Sequence, residues 1–293
     1  MIILLAVSVG TVTRFRAGYL QLDTYTDRFL ETGQALRIED ADLLLVNAPD
    51  YVDIEPLTYL YGIERVVFMT PGLKYSHLYA LNLDAGRPDI TSVAYSPTVL
   101  AEGYGAHEPH VNAEELRDTA RAASHIMVTR FAGDDFWPEY VGGAALPALP
   151  GDPVADYPEI DYTLTGALAR YHSEPGIVTV QVDWQAGGPA AVKQFLHVYC
   201  DGEFVAQSDG YPLGDLYPFT EWAVDEQRSS LHTIHLPAAY PLDCLQVNMG
   251  LYSEDTQARL LAMSAETGEV FSDAGVPVML DEDKRGLAAF LNP

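Results

Sequence analysis

A strand that begins at Phe195 and a second through Phe204, Val205 and Ala206 flank the dipeptide Asp201-Gly202. A two-residue Asp-Gly link between β-rich runs is a strong hairpin signal, because a tight primed turn needs positive φ and glycine adopts it without a Cβ clash. Gln207-Ser208-Asp209-Gly210 then reads as a polar turn. It opens a Pro- and Gly-spaced loop that carries Tyr211, Tyr217, Phe219 and Trp222. The whole stretch, Phe195 to Trp222, constrains the architecture more tightly than it constrains any reaction.

Strand signals continue on both sides of the hairpin. Ile177–Trp184, Gln194–Cys200, Ser230–Leu236, Cys244–Tyr252, Arg259–Met263 and Val276–Leu280 are short β-type runs separated by turn residues. Val178, Val180 and Val182 alternate with Thr179, Gln181 and Asp183, the period of a sheet with one wet face. The expectation for residues 159–293 is an antiparallel β-sandwich, immunoglobulin-like or jelly-roll.

Upstream, the pattern changes. Ala41–Pro49 and Ile63–Met69 are continuous apolar runs, as strands buried on both faces read. Ser76–Leu83 and Ile90–Tyr95 are further strand candidates. Tyr19–Leu36 and Pro56–Tyr61 read as helices, as does Glu114–Ser124 with Asn112 as N-cap, and His125–Arg130 is again β-type. Strand–helix alternation predicts a small α/β domain over residues 1–145, so the fold class is α+β. Gly142–Pro158 is rich in Gly, Ala and Pro, which places a linker at 146–158. Residues 1–13 are either a buried first strand or the end of a transmembrane helix; the second is favoured, since a helix-like stretch follows without a Gly loop.

The charge balance narrows the partners. With 42 acidic against 16 basic residues, net charge is −26, and non-specific binding to nucleic acid or anionic lipid lacks the clustered cations it needs. Cys200 and Cys244 are the two cysteines. They stand in or beside strands of one domain, as two buried thiols, the favoured reading, or as a single bridge.

Candidate chemistry is sparse. His107-Glu108-Pro109-His110 lacks zinc-ligand spacing, and Asp134-Asp135 and Asp281-Glu282-Asp283 lack that of a calcium loop, so solvated loops and faces are expected and no metal or cofactor is assigned. Ser208 beside Asp209, with His197 or His232, has no nucleophile elbow around it; turn hydrogen bonding is the expected role. No catalytic residue is assigned. The candidate ligand-binding residues are Trp184, Tyr211, Tyr217 and Trp222, because aromatic faces stack on sugar rings. The competing role is to plug one end of the sandwich. Trp222 is expected to be buried and Tyr217 the more exposed of that pair.

Trp184, the run Ala206-Gln207-Ser208-Asp209-Gly210, Pro212, Trp222, Leu236-Pro237, Gly250-Leu251-Tyr252 and Arg259-Leu260 follow one another along the second half of the chain. Over Tyr171–Leu280 the chain resembles the soluble C-terminal region of membrane glycosyltransferases of the protein-mannosyltransferase and aminoarabinose-transferase type. Leu44-Leu45-Val46-Asn47 with Pro49 is similar to the segment after their last membrane helix. The resemblance implies a non-catalytic, extracytoplasmic, membrane-associated accessory region. Its partners would be glycan or lipid-linked sugar and a membrane-embedded glycosyltransferase part. A stand-alone module that docks on a membrane partner is the alternative, and an enzyme with its site in the α/β domain, near His77, His107 or Asp134, is the third.

Overall fold

A computed structural model of the chain describes Asp27 and residues 43–46, 66–69, 113–132, 135–172 and 176–282. The chain divides into two compact units, Met1–Ala113 with Met127–Tyr140, and Glu114–Ile126 with Val141–Pro293.

In the first unit, β1 (Leu43–Val46) and β2 (Val66–Met69) pair in parallel, Leu43 opposite Val66 and Val46 opposite Met69. They continue the strand order β2-β1-β3-β4, with β3 at His125–Ala132 and β4 at Asp135–Gly142. Arg130 Nε donates to Glu139 Oε2 at 3.2 Å, which pairs a carboxylate that is otherwise buried. Asp27, within the expected 19–36 helix, is helical. The expected helix at 56–61 and strands at 76–83 and 90–95 lie outside the described residues, as do residues 1–13.

The second unit begins with helix α1 (Ala113–Ala122) and is otherwise almost all strand: β5 (Ala155–Tyr157), β6 (Tyr162–His172), β7 (Ile177–Gln185), β8 (Val192–Cys200), β9 (Glu203–Gln207), β10 (Gln227–His235), β11 (Leu245–Ser253), β12 (Met263–Ser264) and β13 (Val276–Glu282). They form a curled sheet in the order β10-β7-β6-β13-β11-β8-β9. The β8–β9 link has the geometry its sequence demands, with φ of 51° at Asp201 and 83° at Gly202. Val178, Val180, Val182 and Trp184 of β7 turn inward, as do Leu196 and Val198 of β8, and all are buried. Burying each such side chain contributes roughly 1.5–3 kcal/mol.

Several expectations need correction. The sheet is mixed: β13 joins β6 in parallel, Met279 opposite Leu168. After residues 254–275 β13 pairs antiparallel with β11, Met249 opposite Val276, and its other neighbour β6 is distant in the chain, so no hairpin sets the direction of that second pairing. The expected Arg259–Met263 strand contracts to a single bridge, Tyr252 with Arg259, followed by the short β12. The polar face of β7 is not wet. Leu149 N donates to Asp183 Oδ2 at 2.5 Å and Gln181 Nε2 donates to Pro147 O at 2.8 Å. Gln181 and Asp183 are thereby buried under a strap drawn from the stretch expected to be linker. That stretch also supplies β5, whose Ala155 and Tyr157 are fully buried. Finally, Cys200 and Cys244 are joined in a disulfide instead of standing as free thiols. Leu245 pairs with Cys200, so the β8–β11 register brings the two cysteines to a Cα separation of 4.6 Å, within bridging range.

Candidate ligand-binding face

The four aromatic candidates do not share one surface. Trp184, Tyr217 and Trp222 are buried, and Phe219 lies among them. The cause is the 3-10 turn Phe219–Glu221, which folds the loop back into the end of the curled sheet. There Tyr217 stacks on Trp222 with centroids 5.8 Å apart, and Phe219 meets Trp184 edge-on at 6.0 Å. Trp222 Nε1 donates to Tyr217 O at 3.3 Å, so the indole is satisfied as well as packed. Tyr217, expected to be the more exposed of its pair, has no exposed surface.

Helix α1 explains that difference. Arg121 in its last turn donates from Nε to Tyr217 Oη at 2.6 Å and from Nη2 to Glu221 O at 3.0 Å. Its guanidinium lies 5.2 Å from the Tyr217 ring centre, and Arg228 sits 5.7 Å from the same ring. Arg228 also caps the helix through Nη1 to Arg121 O at 3.0 Å and pairs with Glu226 at 2.9 Å. Burial pushes the Tyr217 phenol up, while Arg121 pulls it back. The rings of Trp184, Tyr217, Phe219 and Trp222, with the two cations on Tyr217, form a plug and offer no stacking face.

Of the nucleophile candidates, the structure brings His197 beside Asp209, with Nε2 3.3 Å from Oδ1. Ser208 uses its backbone to extend the β8–β9 ladder, with N to Leu196 O at 2.9 Å. His232 lies in the interior, where its Nε2 faces Gln194 Nε2 at 2.5 Å and Ser230 Oγ at 3.0 Å. Gln194 Oε1 in turn accepts from Trp184 Nε1 at 3.1 Å. The same amide nitrogen lies 3.3 Å from His232 Nδ1, so the ring packs edge-on against the Gln194 side chain. This buried chain joins β7, β8 and β10 across the core. His77, His107, His110 and Asp134 lie outside the described residues. Among the described residues, the one grouping of donor atoms close enough for a metal is Cys200, Asp201 and Cys244, and its two sulfurs are bonded to each other.

The fourth candidate, Tyr211, is half-buried on the opposite, outward face of β8. Along β8 the side chains alternate, so Lys193, Phe195, His197 and Tyr199 point outward while Gln194, Leu196 and Val198 point in. Register places Tyr252 beside Lys193, Gly250 beside Phe195 and Phe204 beside Tyr199. Lys193 Nζ lies 5.0 Å from the Tyr211 ring centre. Burial first, then a hydrogen bond to Glu254, pushes the Tyr211 phenol up to about 12, and the Tyr252 phenol is raised by burial and by Asp209. Further along, His197 Nδ1 faces Tyr199 Oη at 3.3 Å and Arg259 Nη2 at 3.4 Å, and its Nε2 lies 3.3 Å from Asp209 Oδ1, outside hydrogen-bond alignment. Phe204 ends the row at 54% exposure.

The face therefore sets exposed or half-exposed rings at both ends of a row of imidazole, amide and carboxylate groups. Lys193 and Tyr199 are six residues apart, about 20 Å along an extended strand. Sequence reasoning found Tyr211 and missed Tyr199, Phe204 and Tyr252 as site residues. The available signal was the outward alternation from Lys193 to Tyr199, which a hydrophobic reading of the inner face passes over.

No family model matches the chain, and no curated protein matches it. Among solved structures it is similar to the crystal structure of Streptomyces venezuelae DesVI, at 11% identity over 76% of this chain and 83% of that one, with a TM-score of 0.23. A likeness at that TM-score carries no argument about fold or function.

Proposed function

We propose that this chain is a non-catalytic, glycan-binding accessory module. It belongs to the extracytoplasmic, membrane-associated part of a glycosyltransferase-like membrane protein, and its curled sheet is a β-sandwich of immunoglobulin-like or jelly-roll type. The observation that carries the reading is the outward face of β8, β9 and β11. It offers rings with accessible edges, Tyr211 and Tyr252 at one end and Tyr199 and Phe204 at the other, with donors and acceptors between them. Stacking on sugar C–H faces together with convergent polar groups is the chemistry a glycan needs. The Cys200–Cys244 disulfide supports an oxidising compartment. No described helix is long and apolar enough to cross a membrane.

The test is a screen of the whole chain against neutral and charged oligosaccharides, repeated with Tyr252→Ala and Tyr211→Ala. Both rings are partly exposed, so each variant should melt close to the wild type while losing binding. Wild-type protein that binds no glycan, or variants that bind as well as it does, would sink the proposal.

A further inference from the structure

We infer that the ligand of this face is an acidic sugar chain, one bearing ring carboxylates, and that Arg259 with Lys193 reads the charge. The inference rests on the glycan-binding reading above. In a chain of net charge −26, a cation normally has an acid beside it. Arg121 pairs with Asp118, Arg130 with Glu139 and Arg228 with Glu226. Lys193 and Arg259 differ: among the described residues, neither has a carboxylate within 4.0 Å.

Both stand on the same face. Lys193 of β8 lies opposite Tyr252 of β11, and Tyr252 bridges to Arg259. The three form one cross-strand row of cation, ring and cation, about 10 Å from first to last Cα by ordinary strand spacing. Each cation is held over a ring, with Arg259 Cζ 4.5 Å from the Phe195 centre and Lys193 Nζ 5.0 Å from that of Tyr211. Arg259 spends one N–H on Asp273 O at 3.1 Å, and a second nitrogen faces His197 Nδ1. It is exposed, and its remaining N–H groups are open to a planar, bidentate acceptor such as a carboxylate. Gly250 makes room for this arrangement. A Cβ there would lie 2.6 Å from Phe195 Cζ and 2.7 Å from Ala274 O, displacing the ring that supports Arg259.

The neighbouring carboxylates fit the same ligand. Asp209, Asp215 and Glu254 raise the Tyr252 phenol and so lie within electrostatic reach of the row. They are acceptors for sugar hydroxyls, whereas a bare inorganic anion would meet them only as repulsion. A uronic acid ring supplies both the hydroxyls and the carboxylate. The overall negative field opposes a polyanion, so the match is local and strongest where salt screens the long-range repulsion, at about 0.15 M ionic strength.

Calorimetric titration of the whole chain with an oligogalacturonate, and with its methyl ester as the same rings without charge, tests this directly. The acid should bind about tenfold tighter than the ester, the scale of one good charged hydrogen-bond pair. Arg259→Gln should erase the preference for acid over ester, whatever it does to the ester's own affinity, and Lys193→Gln should reduce that preference. Melting curves establish that both variants are folded. Equal binding of acid and ester overturns this inference and leaves the glycan-binding reading standing. A preference that survives Arg259→Gln also overturns it. Binding of neither probe overturns it too, and the neutral panel above then decides the broader reading separately.

Discussion

Two residues of the organising stretch show how local stereochemistry fixes the face. Gly210 has φ of 156°, and a Cβ on it would collide with Asp215 Oδ1, the atom that accepts from Tyr211 N at 2.7 Å. Gly210→Ala should therefore cost about 1–3 kcal/mol in denaturant unfolding, combining backbone strain with loss of that bond. A neutral or stabilised variant would refute the turn geometry. Trp222 is the opposite case, a residue whose value is burial. Its truncation to Ala should cost about 3–5 kcal/mol, since it removes a ring packed against Tyr217, Phe219 and Tyr162. A loss under 1 kcal/mol would mean that the plug is looser than its contacts indicate.

Among the elements, the strap over β7 was the least legible in the sequence. Gly, Ala and Pro over 142–158 say that the chain is neither helix nor long strand, and composition cannot say whether such a segment hangs free or lies on a sheet. What fixes it here is long-range: Asp183 Oδ2 takes Leu149 N–H, and Asp183 Oδ1 takes Gln181 Nε2 at 3.1 Å. β6 was missed for a related reason. Its register shifts between Leu164 and Gly166, and the bulge breaks the two-residue period that marks a strand. The Asp-Gly hairpin, by contrast, was readable because its geometry is decided within two residues.

Burial raises the Asp183 carboxyl, partly offset by its donors. The native state thus holds this proton more tightly than the unfolded chain does. The group's contribution is greatest at low pH and is lost as pH rises through the window above the ordinary carboxylate value. Asp183→Asn removes that loss and keeps an acceptor, and Gln181 Oε1, buried without a hydrogen-bond partner, offers its amide a place. The variant should be at least as stable as wild type at pH 7, with the advantage shrinking toward about pH 4. Asp183→Ala should cost about 1–3 kcal/mol and speed proteinase K cleavage within 143–154. Cleavage at the wild-type rate would contradict the clasp. The disulfide belongs to the same scale. It closes a separation of 44 residues, and the loop-entropy account gives it about 4 kcal/mol at most. A Cys200→Ala, Cys244→Ala double variant should lose a measurable part of that in a denaturant melt.

For the molecule as a whole, the feature with the widest reach is its tyrosines. Burial pushes up the phenols of Tyr140, Tyr157 and Tyr162, and those of Tyr211, Tyr217 and Tyr252 are raised as well. A phenol whose native value lies above its unfolded value of about 10 binds its proton more tightly when folded. The stabilisation is complete below that pH and is lost as pH rises, through about 12 for Tyr211 and beyond it for the most buried rings. Several groups titrate in one window and each adds its own slope, so the loss should be steep. A negative chain gains further self-repulsion with each phenolate. Thermal melts between pH 8 and 12 should show a plateau to about pH 10 and then a sharp fall, with phenolate absorbance rising together with unfolding. Phenolate absorbance that titrates entirely with an ordinary midpoint while the fold persists would show that the buried rings are open to solvent, and would remove the plug.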